Sequence, residues 1–213
     1  MVTVPAPRLS PAAGLAIKLW ALLWMFGDHL DQVLGQSLGI HAAGGRIVFP
    51  LFAALVAFNL TRADPSHMAR VVLPRMLWCG LAALPPYVLL FGWYPLNVMF
   101  TLAAGVGVVT AWQLGRPGLA ALIGLVASVL VDYLALGVAA VVVPWAMLRA
   151  GYGLGFATLV ASALVVPFAG SAWPLLAAPT VCVFSLFRGD APRWKWLFYA
   201  VYPLHLYALA AMI

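Results

Sequence analysis

Long apolar runs separated by short clusters of glycine, proline and charge follow one another through almost the whole chain. The runs cover 13–34, 47–61, 71–91, 96–113, 118–131, 134–148, 153–169, 173–187 and 196–213. The clusters between them read GIHAAGGR, TRADPSHMAR, GWYP, LGRPG, DY, RAGYG, GSAW and RGDAPRWK, the residue types that punctuate helices. A helix needs about 20 apolar residues to cross the hydrocarbon core of a bilayer. With 66% hydrophobic and 8% charged residues in 213, a soluble domain has too little polar surface to cover its core. The pattern predicts an all-α polytopic membrane helix bundle of about nine transmembrane helices, built as a single domain over 1–213. There is no internal repeat and no cleavable leader pattern, so the first run is read as a retained span.

The basic residues sort by side. With a cytoplasmic N-terminus, Arg8, Lys18, Arg62, Arg70, Arg75, Arg116, Arg149, Arg188, Arg193 and Lys195 fall on the inner side, and only Arg46 on the outer. That asymmetry is the one expected of a multi-pass protein of a bacterial inner membrane. Glutamate is absent, and of the five aspartates Asp64 and Asp190 fall inside while Asp28, Asp31 and Asp132 fall in the outer half. The runs on either side of Asp132-Tyr133 are short, so that corner is expected to be recessed. Cys79 and Cys182 lie in apolar runs, so neither a disulfide nor a metal site is expected.

Three polar features converge on one depth. In WMFGDHL, Asp28 and His29 follow Lys18 by ten and eleven residues, a rise of about 15–17 Å. Ionisable residues inside a span mark functional sites. In GGRIVFPLF, Pro50 cannot donate to the carbonyl of Arg46, and Arg46 is the natural partner of Asp28 or Asp132. In VYPLHLY, His205 lies about 13 Å from the inner boundary, after Pro203 and between Tyr202 and Tyr207. It forms either a site wall or a hydrogen bond to a neighbouring helix. Asn97 reads as an N-cap or a site residue, and Asp31 as a polar helix end at the interface. Pro85-Pro86-Tyr87 is expected to break the third run beside a cavity. His41 and His67 fall in loops and are expected to be solvated. Most tryptophans read as interface anchors.

Together these blocks resemble the TraX family, membrane proteins linked to acetylation of conjugative pilin. The resemblance rests on Met25-Phe26-Gly27-Asp28-His29, on Gly45-Arg46-Ile47-Val48-Phe49-Pro50-Leu51-Phe52, on Arg75 with Pro86-Tyr87, on LNVMFTLAAG (Leu96 to Gly105), and on WLFYAVYPLHL near the end. It covers essentially the whole chain. One departure stands out: the family's Asp-Tyr-Gly is here Asp132-Tyr133-Leu134. The family is similar to wider transmembrane acyltransferases, including heparan-glucosaminide N-acetyltransferase. That likeness implies acetyl-CoA taken from the cytosol and an acceptor at the other face.

On this reading the expected partners are acetyl-CoA as co-substrate, a protein acceptor such as a pilin subunit, and membrane lipid, but not nucleic acid. His29 is the expected general base. Asp28 is paired with Arg46 rather than bonded to His29, because neighbouring helix residues point about 100° apart. His205 or Asn97 is expected to donate to the oxyanion. Arg46, Asn97, Asp132 and Tyr133 are expected on the acceptor side. Arg70, Arg75, Arg193 and Lys195 are expected to hold the polyanionic cofactor. The competing readings are an acyltransferase for a glycan or lipid headgroup, a small transporter, and a pilus-assembly subunit without chemistry.

Overall fold

The computed structural model describes residues 9–192 and 194–213, without the side chains of Lys195 and Leu197. Arg8 and Arg193 therefore lie outside the described residues. The described chain is all helical: α1 Pro11–Val33, α2 Gly44–Leu60, α3 Pro65–Phe91, α4 Val98–Gln113, α5 Pro117–Leu130, α6 Leu134–Arg149, α7 Leu154–Ala169, α8 Trp173–Phe184 and α9 Lys195–Ala210. Each falls on one of the apolar runs. Local chemistry sets the ends. Ser10 caps α1 by accepting from the amide of Ala13 at 3.0 Å, and Pro11 follows in the first turn, where its missing N–H is no loss.

Among the described residues, α3, with 27 residues, is the helix long and apolar enough by itself to cross a membrane. Helices α2 and α4 to α8 are shorter and apolar. Helix α3 does not break at Pro85-Pro86: it stays helical through both prolines to Phe91. Its irregularity lies about four turns earlier, in a π turn at Met68–Val72. Proline removes an amide donor and crowds the preceding turn, but a helix packed on its neighbours can carry that cost.

Helix α2 is the centre of the bundle. It is buried along most of its length and packs against α1, α4, α6, α7 and α8. The main core joins Phe49, Ala53 and Leu60 of α2 to Leu102, Val106 and Val109 of α4 and to Ala140 and Val141 of α6. Small residues let these helices approach: a Cβ on Gly105 would stand 2.6 Å from Val141 Cβ. The outward faces are apolar too, and α5 exposes Leu122, Leu125 and Val129.

One irregular crossing holds the site in place. Leu96 pairs with the chain just after α5: its amide donates to Leu130 and its carbonyl accepts from Asp132, both at 2.9 Å. Asn97 then caps α4, its side-chain oxygen accepting from the amide of Met99 while its Nδ2 donates to the carbonyl of Gly80 on α3. Thr101 donates to the carbonyl of Asp132 at 3.0 Å. The Leu-Asn-Val-Met-Phe-Thr block thus ties α3, α4 and the Asp132 corner together.

Candidate functional site

A cavity of about 600 Å³ runs along the bundle between α1, α2, α3, α4 and α9. Lys18, Asn59, Met68 and Val72 line one end; Asp28, Gln32, His41, Arg46, Asp132 and Tyr133 line the other. Between them the wall is apolar and aromatic, with Leu22, Met25, Phe52, Met76, Leu102, Tyr199 and Tyr202.

His29 and His205 form a pair at the polar end. His29 Nδ1 lies 2.7 Å from His205 Nε2, with the rings nearly coplanar in orientation at 5°. His205 Nδ1 lies 3.0 Å from the carbonyl oxygen of Val201. A carbonyl can only accept, so the proton is on His205 Nδ1. A neutral His205 then accepts at Nε2, and His29 must donate from Nδ1. His29 Nε2 is left as an unprotonated nitrogen on the cavity side, 4.0 Å from Asp28 Oδ2. His205 itself is buried and does not line the cavity; Phe26, Tyr202 and His29 enclose it. It therefore stands behind His29, away from the cavity.

A second chain of hydrogen bonds starts from Asp28. His41 Nδ1 lies 2.7 Å from Asp28 Oδ1, and Arg46 Nη2 lies 3.0 Å from His41 Nε2. A guanidinium only donates, so His41 accepts at Nε2 and donates from Nδ1 to the carboxylate. Gln32 Nε2 donates to the other carboxylate oxygen at 3.1 Å. Asp28 and Arg46 are thus linked through an imidazole rather than paired directly, and the Nε of Arg46 is buried without a partner. His41 is not a solvated loop residue: its side chain is only 16% exposed.

The loop carrying His41 is held by Asp31. This carboxylate is fully buried and accepts from the amides of Leu38 and His41 at 2.7 and 2.8 Å. It is a loop clamp, and not a wetted helix end. The paired glycines before Arg46 have a matching reason. A Cβ on Gly45 would collide with the Asp28 carboxylate, so only glycine lets the start of α2 approach α1 here.

Asp132 and Tyr133 complete the polar end. Tyr133 stacks on Phe49 with centroids 4.4 Å apart. Tyr133 and Leu134 both take left-handed backbone angles, φ 59° and 50°. The glycine that the Asp-Tyr-Gly pattern places at 134 would adopt this conformation freely; leucine adopts it under strain.

Other expected site residues fall elsewhere. Asn97 is a buried cap and does not line the cavity. Arg70 is exposed on the π turn, and the Arg75 guanidinium stands 4.6 Å over the Trp196 ring. Neither lines the cavity. Arg193 and the side chain of Lys195 lie outside the described residues. The cation at the apolar-walled end is instead Lys18.

A family model described as TraX protein matches residues 13–213. The chain belongs to the TraX family. It is 32% identical to Protein TraX of Escherichia coli strain K12 over 110 residues, which is 51% of this chain and 43% of that protein. A second Escherichia coli Protein TraX is 33% identical over 110 residues, with the same shares. The match thus spans less than half the length of these curated relatives. No solved structure matches. In this TraX chain, the sequence blocks around Asp28-His29 and Gly45-Arg46 meet at one end of one cavity, His205 of the Tyr202 to His205 block backs His29 from outside it, and the Leu96 block braces the Asp132 corner beside them.

Proposed function

We propose that this TraX protein is a multi-pass enzyme of the bacterial inner membrane that moves an acetyl group from cytosolic acetyl-CoA to an acceptor amine at the outer side, with a pilin N-terminus as the expected acceptor. The observation that carries the reading is the unprotonated Nε2 of His29, fixed by His205, on a cavity lined by Lys18 at one end and by Asp28, Arg46 and Asp132 at the other. With the N-terminus cytoplasmic, Lys18 marks the inner mouth, and Asp28, Asp132 and Arg46 the outer chamber. Two carboxylates against one guanidinium favour a cationic acceptor.

The ammonium of the acceptor is attracted by Asp28 and Asp132, and releases one proton to the outer solvent to give the neutral amine that attacks. His29 Nε2 removes a proton from the amine as its nitrogen forms a bond to the thioester carbon. Negative charge collects on the carbonyl oxygen, and Tyr87 and Tyr202, which line the cavity where His205 and Asn97 do not, are the proposed donors to it. The carbon–sulfur bond then breaks, and the sulfur leaves with the proton held by His29. The products are the acetylated amine and free coenzyme A thiol. The cavity volume lies in the range of small-ligand sites; it suits a thioester on a linear arm, with the nucleotide remaining outside.

Free thiol release from acetyl-CoA by the purified, detergent-solubilised protein tests this, with and without simple amines. Amine-stimulated release that disappears in His29→Ala is expected. No release and no acetyl-CoA binding by the wild type would overturn the reading in favour of transport or assembly.

A further inference from the structure

Lys18, Leu22, Met25 and His29 all line the cavity, and their spacing of four, three and four residues puts them in one stripe along α1. The stripe has a cation at one end, a base at the other and apolar side chains between. Eleven residues of α-helix separate its ends, a rise of about 16 Å. Lys18 is half-buried, and its ammonium lies 5.2 Å from the centroid of the Phe198 ring. No carboxylate among the described residues pairs with it. Arg46, the other cation on the wall, is at the far end and already donates to His41.

We infer that Lys18 binds the phosphate of a phosphopantetheine-linked acyl donor, and that the rise from Lys18 to His29 measures the arm between that phosphate and the thioester. This rests on the acetyl-transfer reading and names a donor site within it. A linear donor that touches Lys18 with its phosphate must span the apolar stretch past Leu22 and Met25 to bring its carbonyl to His29 Nε2. Acetyl phosphate, with phosphate and carbonyl adjacent, satisfies one end only. Coenzyme A and an acyl carrier protein share the phosphopantetheine unit. The residue is unlike the exposed Arg70 and the tryptophan-stacked Arg75, which do not reach the cavity.

The test compares acetyl-CoA, acetyl-phosphopantetheine, acetyl-pantetheine and an acetylated acyl carrier protein as donors for wild type, Lys18→Met and Lys18→Arg. A charge-assisted contact to phosphate corresponds to about a tenfold to hundredfold effect. In the wild type, kcat/KM for acetyl-phosphopantetheine is expected to exceed that for acetyl-pantetheine by this factor. The ratio is expected to collapse in Lys18→Met, through KM rather than kcat, and to recover largely in Lys18→Arg. Turnover of acetyl-CoA and not of the acylated carrier protein assigns the free coenzyme as the source; the reverse assigns the protein-bound arm. A phosphate preference that survives Lys18→Met, or an equal loss with every donor, overturns the inference while leaving His29-dependent transfer intact. A wild type inert towards all thioesters overturns both.

Discussion

Two histidines line the same chamber, and their hydrogen bonds give them different surroundings. His29 is backed by a chain that ends on a neutral acceptor, the Val201 carbonyl, so one ring nitrogen is fixed and the other is free. His41 is held between a carboxylate and a guanidinium, so both its nitrogens are occupied. The first arrangement leaves one nitrogen able to take up a proton; the second holds two opposite charges apart at a set distance. A histidine's role here follows from what terminates its hydrogen-bond chain, more than from its depth in the bundle.

The largest expected effect separates the two. His29→Ala should lower kcat by about 10²–10⁴, the usual contribution of a positioned general base. His41→Ala should act mainly on acceptor KM, by about tenfold, because it loosens Asp28 and Arg46 without touching the base. Initial-rate kinetics with acceptor varied at saturating donor distinguish these. A kcat collapse in His41→Ala with KM unmoved breaks the comparison and makes His41 part of proton transfer.

His205 comes next. Removing it leaves the His29 Nδ1–H without its partner, so the ring can rotate away from its reactive setting; a misplacement of this kind costs about 10² in rate. His205→Ala should therefore approach the loss in His29→Ala, and His205→Gln, whose carbonyl oxygen can accept the same hydrogen bond, should recover part of it. Nitrogen NMR of ring-labelled protein gives an independent reading. The wild type should show His29 as the Nδ1–H tautomer, and His205→Ala should show a mixture. A wild type with the proton on Nε2 would remove the basis for calling His29 the base.

Much of this was legible in the sequence, and the remainder was hidden for definable reasons. The helices follow the apolar runs because each run is bounded by glycine, proline or charge; even the short pair around Asp132-Tyr133 is where expected. Asp28, His29 and Arg46 stood out because charge inside an apolar run is rare. His41 did not, because it lies in a polar loop where any histidine looks solvated, and only the fold brings the loop back over α1. Its signal was the buried clamp at Asp31, which spacing cannot reveal. Pro85-Pro86 misled in the other direction: tertiary packing carries α3 through a pair that local rules would break on. In the sequence Lys18 marks only the inner boundary; its place in the cavity depends on helix packing that the sequence does not display, with Phe198 of α9 beside it.

Gly45 and Leu134 sharpen the comparison by perturbing the two sides of the chamber without changing a polar group. In Gly45→Ala the new methyl meets the Asp28 carboxylate, and overpacking of this sort costs about 1–3 kcal/mol. Because the collision falls on the Asp28–His41–Arg46 side, thermal stability and acceptor KM should both worsen while kcat changes little. A kcat loss as large as in His205→Ala would mean that the two hydrogen-bond chains move as one unit.

Leu134→Gly should have the smallest effect, and the sign depends on three terms of similar size. Left-handed backbone at a leucine costs roughly 1–2 kcal/mol, which glycine releases. Against that, glycine adds about 0.4–1 kcal/mol of unfolded-chain entropy, and a half-buried leucine gives up about 1 kcal/mol of packing. The terms nearly cancel, so the unfolding free energy in detergent should stay within about 1 kcal/mol of the wild type, while acceptor KM shifts if the Asp132 carboxylate moves. A clear stabilisation would show that the strain at Leu134 is larger than its packing, and hence that this chain keeps leucine for the shape it gives the Asp132 side of the chamber. A clear destabilisation would show that the side chain holds the corner, and that the strained backbone is a consequence of its packing.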